Sequence, residues 1–530
     1  MDIATSLGLF TSSVLGTMFL LRQVQNSSVR SPFGSVPTTW RNIRNKCSSN
    51  SSDHDYDDYN HILSQLFRPI KTTSRHVESQ TPRGDKVTQS NDDLFLKRKD
   101  FFQNLARTSG LKTDNVIHVT GSKGKGSVVE HIASALRNSG EQVGIFTSPH
   151  LHSARERIKI NAELISRADL SRLGRMILKQ TVHEYWAVFF DLFLGCAIQH
   201  FGEKNVDYLV LEVGIGGRYD STNFLDNARI GVITSISYDH MDVLGDTLTQ
   251  IAWQKAGIIK PGLHVFTPSS QEASAVDVIV QQCKEKNATL HIVPVEIVLE
   301  SELSIGSHGF SVQQQNAALA LAVVRHLGLK DSSMQGFYWP CRMEAFEVRI
   351  PQLDLSPTST SSTCATVVLD GAHNGNSVQM FLAGLRERYP GRHVHVIFGA
   401  GLEKCVEDML SEIHANCDSV CLVQSRHFKA ASEMDLHAVA VKAGFLLPIP
   451  AFCKPQERAA TSTVEVRLRD AIQRSAQSSL EKYAGSDASS RPVIAVCGSL
   501  FAAAEAREVL FAMDPTLFSE ADWVREQDRI

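Results

Sequence analysis

The chain has 530 residues, 43% of them hydrophobic and 21% charged, with a formal net charge of -4. That length holds roughly two to four domains of ordinary globular composition, and the near-neutral charge argues against bulk nucleic-acid binding. Ten cysteines are scattered without a CxxC pair, which argues against a disulfide framework or a zinc-thiolate site and for reduced thiols.

Residues 1–52 differ from the rest. Leu7 to Leu21 is largely apolar, but shorter than the roughly 20 residues of a membrane span. Arg22, Arg30, Arg41, Arg44 and Lys46 follow among serines and asparagines, and Asp2 is the one acid before Asp53. This pattern reads as an organelle transit peptide, mitochondrial or otherwise, with a cytosolic form from the remainder. A signal anchor and an unaddressed tail are the alternatives.

The acidic run Asp53–Tyr59 then precedes a predicted helix from Tyr59 to Phe67. Residues 70–92 read as a polar loop with Pro82 and Gly84, and Leu94 to Ser109 has helical spacing. Val116–Thr120 reads as a buried strand, Gly121-Ser122-Lys123-Gly124-Lys125-Gly126 as a glycine-rich turn, and Ser127 as the opening of a helix. Such a turn cradles phosphate, because glycines let several N–H groups converge and the helix N-terminus adds positive potential. Lys125 would reach the outer phosphates and Ser127 would hold Mg2+ through its hydroxyl. The spacing departs from the usual P-loop: the first glycine lies three residues before Gly124, and Gly126 separates Lys125 from Ser127. A glycine turn that binds nothing is the plainer alternative.

Gln142–Phe146 is a second predicted strand, followed by Thr147-Ser148-Pro149-His150-Leu151 and Arg155-Glu156-Arg157-Ile158. A strongly apolar helix is predicted from Tyr185 to Phe201, and a buried strand from Val206 to Gly214 that carries Glu212. Ile230–Ile236 is another strand, followed by Asp239-His240, and Thr247–Ile259 a helix containing Lys255. Val312–Leu327 is helical, and Phe337–Arg342 is a connector broken by Pro340. A second alternating pattern starts at Thr366–Asp370 and continues through strands at Val394–Phe398, Ser419–Val423 and Val493–Val496, with 473–491 a surface loop.

Alternating strands and helices imply a parallel sheet covered on both faces, whose ligands sit at the carboxyl ends of the strands. Gly121, Ser148, Glu212 and His240 all fall at or just after such an end. Each has a plain alternative. Glu212 equally reads as a carboxylate capping a turn. His240, alone, is more often structural. Lys255 on an amphipathic helix reads as a solvated charge, and Asp370-Gly371-Ala372-His373-Asn374 as a capped turn.

Taken together, and adding Leu211–Gly217, Gln254–Ile259 and Cys497-Gly498-Ser499-Leu500, these pieces resemble the folylpolyglutamate synthase and dihydrofolate synthase family of the Mur ligase superfamily. Their order holds from about residue 59 to 512, and Lys123 and the Leu105–Leu111 stretch look more like the eukaryotic polyglutamating enzymes. The resemblance implies an α/β fold in two parts: a P-loop-type, doubly wound ATPase domain over 53–338, and a smaller Rossmann-like glutamate-ligase domain over 339–530, after the leader 1–52.

It implies an ATP-dependent ligase that makes an acyl phosphate of a folate carboxylate, which the amine of L-glutamate then attacks. ATP, Mg2+, K+ as activator and a carbamylated Lys255 are the implied cofactors. Gly121 to Ser127, Asn316, Arg342 and Asp370 correspond to the nucleotide site; Ser127, Ser148, Glu212, His240 and Lys255 to the metal site. Asp370, His373 and Ser499 correspond to the glutamate side. Lys125, His240, Lys255, Asp370 and His373 would carry the chemistry. The implied partners are small molecules, with no nucleic acid or stable membrane partner, and a monomer. Dihydrofolate synthase, or an enzyme of both activities, shares every motif and stays open. A GTPase would need an Asn-Lys-x-Asp motif, which the chain lacks, and a non-catalytic relative would have lost Lys125, Glu212 or Lys255. Two departures stand out: Phe501 where the family often has tyrosine, and Cys405 where it has an acid.

Overall fold

The computed structural model describes residues 51–67, 88–294 apart from 183 and 185, 312–334, 339–351, 362–445 apart from 428, 468–476, and 491–528 apart from 527. The stretch read as a leader lies outside these residues except for Ser51 and Ser52, as do His183, Tyr185, Phe337, Tyr338 and most of the loop at 473–491. Asp55–Ile530 is one compact unit, and Met1–His54 separates as another.

The first sheet holds β1 (Val116–Thr120), β2 (Val143–Phe146), β3 (Ile158–Ile160), β4 (Glu163–Leu164), β5 (Tyr208–Glu212), β6 (Ile230–Ile233), β7 (His264–Pro268) and β8 (Thr289–Val293). Its order is β4-β3-β2-β5-β1-β6-β7-β8. The six strands from β2 to β8 across this order run parallel, and β3 and β4 add an antiparallel edge. The parallel sheet expected from the alternating pattern is thus present, with a short antiparallel edge added to it. The glycine turn follows β1 and Glu212 ends β5, the two central strands, so both sit at carboxyl ends, with β1 between β5 and β6.

Alternation along β1 explains the two covered faces. Val116 joins a core of Tyr59, Leu66, Phe102, Phe193 and Phe201, from α1 (Ser51–Leu66), α2 (Thr88–Thr108) and the helix Phe189–Glu203. Ile117 and Val119 face the other way, into α3 (Lys125–Asn138) and α4 (Val312–His326) through Val128, Ile132, Ala317 and Leu321. Two helices begin earlier than apolar spacing predicts. The acidic run at Asp53 lies inside α1 rather than ahead of it, and α2 starts at Thr88 rather than Leu94. Both extra turns are polar, and polar turns carry no apolar periodicity to read.

The second sheet holds β9 (Glu344–Pro351), β10 (Ser362–Leu369), β11 (Val394–Phe398), β12 (Ser419–Leu422) and β13 (Val493–Cys497), in the order β12-β11-β13-β10-β9. β9 pairs antiparallel with β10 and the others run parallel. Asp370 follows β10 and Ser499 follows β13, again at carboxyl ends.

The last described residues tie this half to the first. Arg507, fully buried in the helix Leu500–Met513, pairs with Glu344 at 2.9 Å and Asp522 at 2.5 Å. Asp528 then accepts hydrogen bonds from the Tyr59 hydroxyl at 2.9 Å and the Ala154 amide at 2.7 Å. Glu526 pairs with Arg155 at 2.6 Å. Among the described residues no helix is long and apolar enough to cross a membrane.

Candidate active site

The glycine turn is held by β6's continuation rather than by its own residues. The Ser122 amide donates to Ser235 O at 2.8 Å, and the Thr234 hydroxyl donates to Lys123 O at 2.6 Å. The turn needs its glycines. Gly124 sits at φ 85°, and a Cβ there would overlap the Asn316 side-chain amide. Gly124 begins α3 without any side-chain cap, so the first-turn N–H groups stay available to an anion.

Two lysines meet behind this turn. Lys125 Nζ donates to Gly121 O at 3.2 Å, and Lys255 Nζ donates to the same oxygen at 2.8 Å. Lys255 is buried rather than solvated. Burial, and then the charge of Lys125, push it down to about 7. The reading of Lys255 as a solvated surface charge is thereby overturned: its helix turns that face inward.

A cleft of about 880 Å³ opens at the carboxyl ends of both sheets. The run 122–127 lines it together with Ser148, Glu212, His240 and Asn316, and Arg342, Asp370, His373 and Ser499 line it from the other side. Gly121 and Lys255 do not reach the lining; they lie one layer behind, joined to it through Lys125. Lys123 spans the cleft, donating to Asn376 Oδ1 at 2.7 Å, and burial pushes its ammonium down to about 8.

Glu212 is buried too, and Asp370 and Asp239 are partly buried. Glu212 accepts from the Ser148 amide at 2.9 Å. Burial raises its carboxyl, while Lys125, the Ser148 amide, Arg342 and Arg157 pull the other way. Asp370 accepts from the Met343 and Ala372 amides, both at 2.8 Å, and burial raises it against the charge of Arg342. Asp239 is the exception: burial would raise it, but His240, His373, Lys404 and Lys125 together hold it below its ordinary value. His240 adopts φ 51°, a left-handed conformation that turns the chain into a short helix.

His373 Nδ1 lies 2.8 Å from Gly371 O, so that nitrogen carries the proton and Nε2 is left as an acceptor. Burial pushes this ring down to about 4, so it is neutral near pH 7. Ser499 spends its oxygen at the start of the helix Leu500–Met513, accepting from the Ala502 amide at 3.0 Å. Asn316 is buried, and its Nδ2 has no partner among the described residues. An orphaned buried donor costs about 1–3 kcal/mol, which a ligand acceptor in the cleft would recover.

The lining includes residues that sequence patterns did not single out as site residues. Arg157 stands in the Arg-Glu-Arg-Ile motif; its Nε donates to His150 Nδ1 at 2.9 Å and its guanidinium lies 4.6 Å from the Phe189 ring centre. Trp339 and Lys404 also line the cleft. Phe501 stacks on His427 with ring centres 4.1 Å apart, which gives the missing hydroxyl's place an aromatic partner. Cys405 is exposed at the start of the helix Val406–Asn416.

Comparison with known proteins adds to this geometry. Residues 191–284 match the Mur ligase middle domain and residues 358–500 the Mur ligase glutamate ligase domain. The chain is 29% identical over 367 residues to the dihydrofolate synthase/folylpolyglutamate synthase of Bacillus subtilis, covering 62% of this chain and 80% of that one. It is 31% identical over 362 residues to the human mitochondrial folylpolyglutamate synthase, covering 62% and 60% respectively. Across four eukaryotic relatives the matched part spans 40 to 60% of the relative's own length. A solved Mycobacterium tuberculosis folylpolyglutamate synthase, complexed with ADP and AMPPCP, is similar with a TM-score of 0.63, at 25% identity, covering 78% of this chain and 95% of that one.

The burial of Lys255 generates a stability prediction. Its folded value of about 7 lies below its ordinary 10.5, so between those values the unfolded chain holds a proton that the folded chain releases. Lys255→Met removes that cost. The variant's thermal midpoint should exceed wild type most at or below pH 7, and the gain should fade as pH rises toward 10.5. Scanning calorimetry from pH 6 to 10 reads this directly; a lower midpoint at pH 7 would contradict the burial argument.

Proposed function

We propose, from the premise that the chain belongs to the folylpolyglutamate synthase and dihydrofolate synthase family of Mur ligases, that it joins L-glutamate to a folate at the expense of ATP. One observation carries this reading. The phosphate cradle of one sheet and the Asp370–His373 turn of the other line a single cleft, and Lys123 bridges it to Asn376. A ligase that couples two substrates through phosphate needs both at one place.

The work divides along the chain. Residues 53–338 hold ATP and 339–530 hold glutamate. A carboxylate is a poor electrophile until one of its oxygens becomes a leaving group, and phosphorylation makes it one. Lys125 and the open N–H groups of α3 face the outer phosphates, where negative charge spreads during transfer. Asn316 gives its free amide hydrogens to the nucleotide, and Arg342, which lines the same cleft, exerts its charge on both Glu212 and Asp370.

The residues present suit Mg2+: the Glu212 carboxylate and the Ser127 and Ser148 hydroxyls are hard oxygen donors, and His240 lines the same cleft. Bound there, Mg2+ would neutralise phosphate charge and keep Glu212 ionised against its burial. On the other side of the cleft His373 Nε2 accepts from the incoming amine, and Asp370 fixes the turn that presents it. Ser499 lies beside them as a further polar contact. Burial disfavours the charged form of Lys255, and the neutral amine is the form that takes up CO2 as a carbamate; the resulting anion would serve the metal side. K+ as activator belongs to the same reading, as does mitochondrial delivery by residues 1–52, which is in keeping with a mitochondrial relative.

A substrate panel tests it. Purified protein receives ATP and labelled glutamate with either monoglutamyl tetrahydrofolate or dihydropteroate. Incorporation into tetrahydrofolate supports folylpolyglutamate synthesis, incorporation into dihydropteroate alone supports the dihydrofolate synthase reading, and incorporation into neither overturns both.

The carbamate has its own test. Lys255→Arg keeps the charge but cannot form a carbamate, so its turnover at saturating ATP and magnesium should be as poor as that of Lys255→Ala. Turnover equal to wild type would refute the role.

A further inference from the structure

Three histidines meet far from the cleft. His264 opens β7 at its amino end, the end opposite to the one that carries the cleft. His291 lies on β8, where Phe266↔His291 is the register pair, so His264, Phe266 and His291 share one face of the sheet. α4 packs on that face and ends at His326. One nitrogen from each ring lies within 4.8 Å of the others.

The arrangement is built rather than incidental. His264 Nδ1 and His291 Nε2 are 3.1 Å apart. An ion about 2.0–2.1 Å from each would subtend roughly 100° between them, as in tetrahedral or octahedral coordination. Phe266, buried, stacks on His291 with centres 4.4 Å apart and meets His326 edge-on at 5.4 Å, so it fixes two rings from behind. His326 stands in the last turn of α4, where the helix dipole favours a cation. Arg229 is the opposing charge near His326.

We propose that His264, His291 and His326 form a binding site for one divalent transition-metal ion of the Zn2+, Co2+ or Ni2+ class, separate from the magnesium chemistry of the cleft. Three imidazoles suit borderline cations and not Mg2+, which takes oxygen donors and water. The remaining coordination positions are open to solvent, since His326 is exposed. The ion pins the edge pair β7–β8 to the far end of α4, the helix whose other end carries Asn316. It thereby stabilises the folded chain in proportion to its occupancy.

The test uses the untagged full chain stripped with a chelator. Zn2+ titrated calorimetrically should bind at one equivalent that His326→Gln and His291→Asn both lose. Loss of an outer-shell partner costs a metal site about 10–100-fold in affinity, so loss of a direct ligand should weaken binding by at least about 10-fold. Because His326 is exposed, His326→Gln leaves the fold intact, and circular dichroism verifies that. Co2+ should give a visible d–d spectrum without a thiolate charge-transfer band, and Mg2+ in excess should not displace it. Equal Zn2+ binding by wild type and His326→Gln would overturn the proposal, as would a cobalt spectrum dominated by thiolate.

Discussion

Two ammonium groups share the carbonyl oxygen of Gly121, and the site's arrangement depends on that crowding. Lys125 approaches from the turn itself and Lys255 from a helix more than a hundred residues later. Lys255, the buried one of the two, is pushed down by its burial and then by the charge of Lys125. The turn can hold this only because Ser235 and Thr234 brace it from β6's end. A ligand rich in negative charge relieves the crowding, which is why an arrangement costly to the empty fold suits a polyphosphate.

The second constraint is that two sheets must present their carboxyl ends to one space. A parallel strand ends in a loop, and loops at neighbouring carboxyl ends converge. Here the first sheet supplies the cradle and Glu212, and the second supplies Asp370 and the residues after β13. The geometry is kept by contacts far from the chemistry. Asp528 reaches the Tyr59 hydroxyl and Ala154, and Arg507 anchors the same C-terminal segment through Asp522. Lys123 adds the one direct bridge described above, from the cradle itself to Asn376.

Much of this was legible in the sequence, for physical reasons that differ from residue to residue. β1, β5 and β6 are apolar runs buried on both faces, so their ends, and hence Gly121, Glu212 and His240, could be placed from hydrophobicity alone. β3 and β4, three and two residues long, gave no period to read, so the antiparallel edge stayed hidden. β9 was hidden in a different way: its antiparallel pairing with β10 depends on a partner that sequence spacing does not reveal. Lys255 looked solvated because one polar side chain on a short helix carries no sign of which way it faces. Its burial follows from what the helix packs against, a tertiary fact. Arg157 and Trp339 likewise enter the cleft through folding, not through any local pattern, and the histidine cluster needs three elements brought together.

The central claim is that one cleft activates a carboxylate by phosphorylation and delivers it to an amine. The most direct measurement follows oxygen. Tetrahydrofolate labelled with 18O in its terminal carboxylate is incubated with the protein, ATP, magnesium and glutamate, and the released inorganic phosphate is analysed by mass spectrometry. The account predicts one labelled oxygen in each phosphate formed, because amine attack breaks the acyl C–O bond and phosphate departs with the carboxylate's oxygen. Product formation with unlabelled phosphate would contradict it, since the carboxylate would then have been activated without passing through the phosphoryl group.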